Sequence, residues 1–106
     1  MKRKAPGHLS DDARRWWRRL IAEYRIDDPA GLLLMQTAME AFDRMKAAAA
    51  EIARDGQTVR DRFEQAKPHP LLATERDARA QLMAALKALN LDLEPLRDGP
   101  GRPGGS

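Results

Sequence analysis

The sequence predicts an all-α protein of three helices, with a long central helix, an irregular loop at about residues 56–70 and disordered ends. Three observations carry this expectation. Apolar residues recur at three- and four-residue steps through most of residues 11–89. Proline and glycine concentrate at the ends and in the middle, which leaves long stretches free of helix breakers. Serine, Asp-Pro and glycine stand where helices start and stop.

Residues 1–9 read as a flexible basic arm ending in Pro6-Gly7. Ser10 is a good N-cap, and Asp11 and Asp12 suit the positive end of a helix dipole. The first helix is expected from about Asp11 to Tyr24. In RIDDPAG, Asp28 caps a second helix and Pro29 takes its first position. That helix runs to about Asp55, with Gly56 just past its end. At 1.5 Å per residue it is about 40 Å long, more than a domain of this size spans. Leu32, Met35, Met39, Phe42, Met45, Ala49 and Ile52 form one seam along it, and Leu34, Ala38, Ala41 and Ala48 a second flank. Two flanks on one long helix favour a bundle or an oligomer. GQTVRDRFEQAKPHP, residues 56–70, favours an ordered loop or a short β excursion, because Thr58, Val59 and Phe63 suit extended backbone. A third helix runs from Leu71 to about Leu89, with Asn90 at its end and a seam of Leu71, Ala78, Leu82, Ala85 and Leu89. The domain is expected over 10–90, followed by a Gly/Pro-rich, mostly disordered tail over 91–106.

The chain of 106 residues is enough for one small domain. It has no cysteine, so neither disulfides nor thiolate metal sites supplement the core. No apolar run approaches the roughly 18 residues of a membrane span, and MKRKAPGHLS lacks the apolar segment of a secretory signal. A soluble intracellular protein is expected. Charge is unevenly placed: residues 1–25 hold eight Lys/Arg against three Asp/Glu, whereas the remainder is mildly acidic. Such an end suggests docking to a polyanion, usually nucleic acid.

ARRWWRRLIAEY poses the sharpest question, since two tryptophans lie between arginine pairs. On a helical wheel Ala13, Trp16, Trp17, Leu20, Ile21 and Tyr24 fall within roughly 140°, opposite Arg14, Arg15, Arg18, Arg19 and Arg25. The tryptophans are therefore expected in the buried stripe or at a subunit interface. The arginines face solvent, where guanidinium forks suit phosphate oxygens. No phosphate-binding glycine loop, dinucleotide turn or cysteine nucleophile is present. His8 and His69 lack a second ligand at metal-binding spacing, and loop structure or packing is the expected role of His69. Asp61 and Glu64 suit pairing with Arg60, Arg62 or Lys67 better than acid–base work. No cofactor or metal is implied, and nothing supports an enzyme.

HLSDDARRWWRRLIAEYRIDDPAGLLLMQTAMEAFDRMKAAAAEIARDG followed by TVRDRFEQAKPHPLLATERDARAQLMAALKALNLD resembles the P27 family of phage terminase small subunits over roughly residues 8–98. DDPAG (27–31), RDRF…KPHP (60–70), ERDAR (75–79) and ALNLDLEPLRD (88–98) carry the likeness. Glu64 departs from it, standing where relatives are expected to carry glycine or a small residue. The resemblance implies a non-enzymatic component of viral DNA packaging in the cytoplasm of the bacterial host. It would form a ring-like homo-oligomer through helix packing, bind double-stranded DNA, and regulate or recruit the large subunit that holds the ATPase and nuclease. A separate helix-turn-helix module is not expected.

Under that resemblance Lys2, Arg3, Lys4, Arg14, Arg15, Arg18 and Arg19 would meet phosphates. Arg60, Arg62 and Lys67 form a second candidate set, for DNA or a neighbouring subunit. Trp16, Trp17, Leu20, Tyr24, Met39, Phe42, Leu82 and Leu86 would form core and subunit contacts. The tail from Leu91 would dock the large subunit. A dimeric helical DNA-binding regulator, or a helical adaptor that binds no DNA, remain alternatives.

Overall fold

A computed structural model describes residues 4–91. Lys2, Arg3 and the tail beyond Leu91 lie outside the described residues. The chain is mostly helical: α1 (Asp11–Tyr24), α2 (Pro29–Asp55), β1 (Thr58–Arg60), β2 (Ala66–Pro68) and α3 (Leu71–Ala88).

Each boundary has a local chemical cause. The Ser10 hydroxyl accepts the Ala13 N–H at 3.0 Å, a contact worth about 1 kcal/mol in helix caps. Its hydroxyl and its backbone N–H also donate to the two carboxylate oxygens of Asp43 on α2. One residue thus starts α1 and ties it to α2. Arg25 ends α1 in the left-handed region at φ 54°, and its N–H reaches the Ile21 carbonyl. The turn delivers Ile26 into the core. Asp28 then accepts the Gly31 N–H at 2.9 Å, and Pro29 starts α2. Gly31 is fixed by space: a Cβ there would lie 2.7 Å from the Asp28 carboxylate and 2.9 Å from the Ile26 side chain. Asp28, Pro29 and Gly31 of the DDPAG segment are therefore each constrained.

The connection between α1 and α2 is short, and Ser10 meets Asp43, so α1 folds back along the first half of α2. Arg44 to Gln81 near mid-helix and Asp55 to His69 at the end set α3 antiparallel to α2 along its length. The main core lies where all three helices meet. Leu9, Ala13, Trp17, Ile26, Met35, Ala38, Met39 and Ala85 are buried there, with Leu20, Tyr24, Phe42, Leu82 and Leu86 half-buried around them.

The seam along α2 differs from the expected one. Met35, Met39 and Ile52 of the first flank are buried, as are Ala38, Ala41 and Ala48 of the second. Phe42, Met45 and Ala49 are only partly covered. Alanines let a packed helix approach closely, so Ala38, Ala41 and Ala48 lie buried while Phe42 and Met45 stay partly covered. On α3, likewise, Ala78 and Ala85 are deepest, whereas Met83 stays 55 % exposed.

Residues 5–9 depart from the expected free arm. Leu9 is 3 % exposed within the core and Ala5 packs against it. The Leu9 N–H bonds the Pro6 carbonyl, and His8 Nε2 lies 2.7 Å from Glu40 Oε2. One apolar side chain before the cap is enough to dock this end of the segment.

Candidate nucleic-acid interface

The arginines of α1 divide into two kinds. Arg14 pairs with Asp11 at 2.6 Å and also donates to the Gly7 carbonyl. Arg15 pairs with Asp12. Both are i,i+3 neighbours on the helix surface. Arg18 and Arg19 are exposed and, among the described residues, meet no carboxylate. Arg19 lies over the Trp16 ring, 5.2 Å from its centroid. Stacking of this kind leaves the guanidinium edge, with its N–H donors, open to solvent. Lys4 is exposed at the start of the described chain.

The two tryptophans also part. Trp17 is 3 % exposed, Trp16 43 %. Adjacent helix positions are about 100° apart, so a contact narrower than the predicted arc covers one and leaves the other at its flank. The buried half of the expectation therefore fails for Trp16 within a single chain.

The second candidate set sits on an antiparallel β-hairpin that pairs Thr58 with Pro68, Val59 with Lys67 and Arg60 with Ala66. Its tip is organised by Asp61, whose Oδ1 accepts the N–H groups of Phe63 at 2.8 Å and Gln65 at 3.0 Å. Those backbone hydrogen bonds, Gln65 first, hold the Asp61 carboxyl below its ordinary range, with Lys67 adding a smaller effect. Asp61 thus serves the turn's backbone and is not an ion-pair partner of a neighbouring arginine. Arg60 donates to the Glu64 carbonyl at 2.8 Å. Arg62 lies 5.1 Å from the centre of the Phe63 ring. From the sequence, Phe63 signals only extended backbone. An aromatic set among charges in a loop was the signal available, and the structure leaves it 68 % exposed.

Glu64 occupies the left-handed region at φ 63°. A side chain there costs roughly 1 kcal/mol relative to glycine, which explains why glycine suits this position. Glu64→Gly is expected to raise stability by up to about 1 kcal/mol, because relief of strain exceeds the added freedom of the unfolded chain. Thermal unfolding of the two proteins checks the sign.

His69 closes the base of the hairpin. It is 5 % exposed, its Nδ1 accepts the Leu71 N–H at 3.0 Å, and its Nε2 lies 3.0 Å from Asp55 Oδ2. Its own N–H reaches the Gln57 carbonyl at 2.8 Å. Because Nδ1 accepts, Nε2 carries the proton and donates to Asp55. That hydrogen bond, with Arg54 nearby, lowers the Asp55 carboxyl below its usual value. His69 therefore joins the end of α2, the hairpin and the start of α3. Among the described residues no group of three or more His, Cys, Asp or Glu could hold a metal. None of their helices is long and apolar enough to cross a membrane.

Fold and surface together define a small helical protein that, among the described residues, exposes Arg18 and Arg19 without a carboxylate partner and stacks arginines on the Trp16 and Phe63 rings. The chain belongs to the phage terminase small subunit family, whose model matches residues 13–94. The match links it to phage DNA packaging. Comparison with curated proteins and with solved structures gave no match.

Proposed function

We propose that the chain is the non-catalytic small subunit of a phage DNA-packaging motor in the cytoplasm of the bacterial host. It assembles with itself, binds double-stranded DNA and brings that DNA to the large subunit. The supporting observation is the exposed pair Arg18 and Arg19, which meet no carboxylate among the described residues, on a member of this family. Such guanidinium groups grip phosphate oxygens without reading bases, so affinity comes from charge and falls with salt. Lys2, Arg3 and Lys4 supply further cationic groups for phosphate, and Arg14 and Arg15 join once phosphate competes with their aspartates. Arg60, Arg62 and Lys67 form a second cationic surface at the hairpin. Leu20, Tyr24, Met39, Phe42, Leu82 and Leu86 hold the helices together, and their half-covered members, with Trp16, extend to neighbouring copies.

The particle mass, measured by light scattering with and without duplex DNA at several salt concentrations, tests this assignment. A multimer whose DNA affinity drops steeply with salt is expected. A monomer indifferent to DNA overturns it, as does a dimer selective for one short palindromic site.

A further inference from the structure

The hairpin lies at the end of α2 that α1 does not cover. Its tip is fixed by the two backbone hydrogen bonds to Asp61 and by the Arg60 bond to the Glu64 carbonyl. This places the Phe63 ring in solvent on a firm support, with Arg62 stacked on it. Beside the hairpin's base, the last turns of α2 and the first turns of α3 bound a cleft of about 430 Å³. Ala49, Ile52, Ala53 and Leu72 give it an apolar lining, and Glu75, whose carboxylate pairs with Arg79, borders it. The cleft is large enough for one aromatic ring with the guanidinium beside it.

We infer that Phe63 of one copy of this chain seats in that cleft on a neighbouring copy, where Arg62 meets Glu75. Three features select a second copy as the occupant. Knob and cleft are both present on every chain, and each leaves apolar surface in water when unfilled. Charge adds a smaller part: Glu75 is already paired with Arg79, so Arg62 joins that carboxylate as a second cation and the apolar ring carries the contact. Nucleic acid suits the pair less well, since Asp61 and Glu64 flank the ring and Glu75 borders the cleft. Knob and cleft are different surfaces, so the contact is head-to-tail, the kind that closes into a ring when its rotation allows. The inference rests on the self-assembly in the proposed function and specifies its surface.

The chain has no cysteine, so Phe63→Cys and Ala53→Cys variants each carry a single thiol. Mixed and mildly oxidised, they are expected to give a cross-linked dimer containing one of each. Phe63→Ala provides the second readout. Its side chain is exposed within one chain, so helix content and unfolding temperature are expected to hold. The concentration needed for assembly is expected to rise at least about tenfold. Absence of the mixed cross-link together with unchanged assembly of Phe63→Ala overturns the inference, and the packaging assignment then stands on another surface. A wild-type chain that stays monomeric at every concentration overturns both.

Discussion

Replacing Arg18 and Arg19 together by glutamine is expected to weaken binding to duplex DNA by about a hundredfold at moderate salt. The same change in Arg14 and Arg15 is expected to cost far less. Arg18 and Arg19 have no carboxylate to give up among the described residues, so each interaction with phosphate is gained in full. A charge-assisted hydrogen bond of this kind is worth about 1.5–3 kcal/mol, or roughly tenfold or more per residue. Arg14 and Arg15 begin in ion pairs with Asp11 and Asp12. Phosphate must displace those partners, which cancels most of the gain. Titrations over a range of salt provide a second reading: the slope of log affinity against log salt is expected to shrink by about one for each phosphate no longer neutralised. Equal weakening in the two double variants would show that the aspartates do not protect their neighbours. Unchanged affinity in both would move DNA binding off α1.

That ordering was only partly legible in the sequence. The i,i+3 spacing of Asp11 with Arg14 and Asp12 with Arg15 is plain to see. Which arginines remain free also depends on where α1 lies, since Arg14 turns back to the Gly7 carbonyl of a segment docked through Leu9. The helix limits were legible because their causes are local: Ser10, the Asp28-Pro29 pair and Gly56 act within a turn of themselves. Packing was less so. The wheel could not foresee Ala38, Ala41 and Ala48 lying deeper than Phe42 and Met45, because how closely two helices approach is a property of the pair. Nor could composition reveal the hairpin's clasp. Asp61 reads as one more loop carboxylate until its bonds to the Phe63 and Gln65 N–H groups are in place. Phe63 acquires meaning only through that support.

Trp17→Ala is expected to remove a large share of the fold's stability, and Trp16→Ala very little. Trp17 sits at 3 % exposure in the cluster where α1 meets α2, among Leu9, Ala13, Met35 and Met39. Deleting a buried indole costs about 3–5 kcal/mol, because the cavity left behind relaxes only in part. Domains of this size are typically stable by about 5–15 kcal/mol in total, so the unfolding temperature is expected to fall by more than about 10 °C. Trp16 is 43 % exposed, and its partner is the guanidinium of Arg19. An exposed cation–π contact contributes about 0.5–1 kcal/mol, which shifts the melting temperature by a few degrees at most. Thermal melts followed by far-ultraviolet circular dichroism at a concentration too low for assembly separate the two. Comparable destabilisation by both variants would put Trp16 in the core and leave α1 without an aromatic on its outer flank. With the expected contrast, Trp16 is free to serve contacts outside its own chain, because replacing it then changes assembly or DNA binding without changing the fold that presents it.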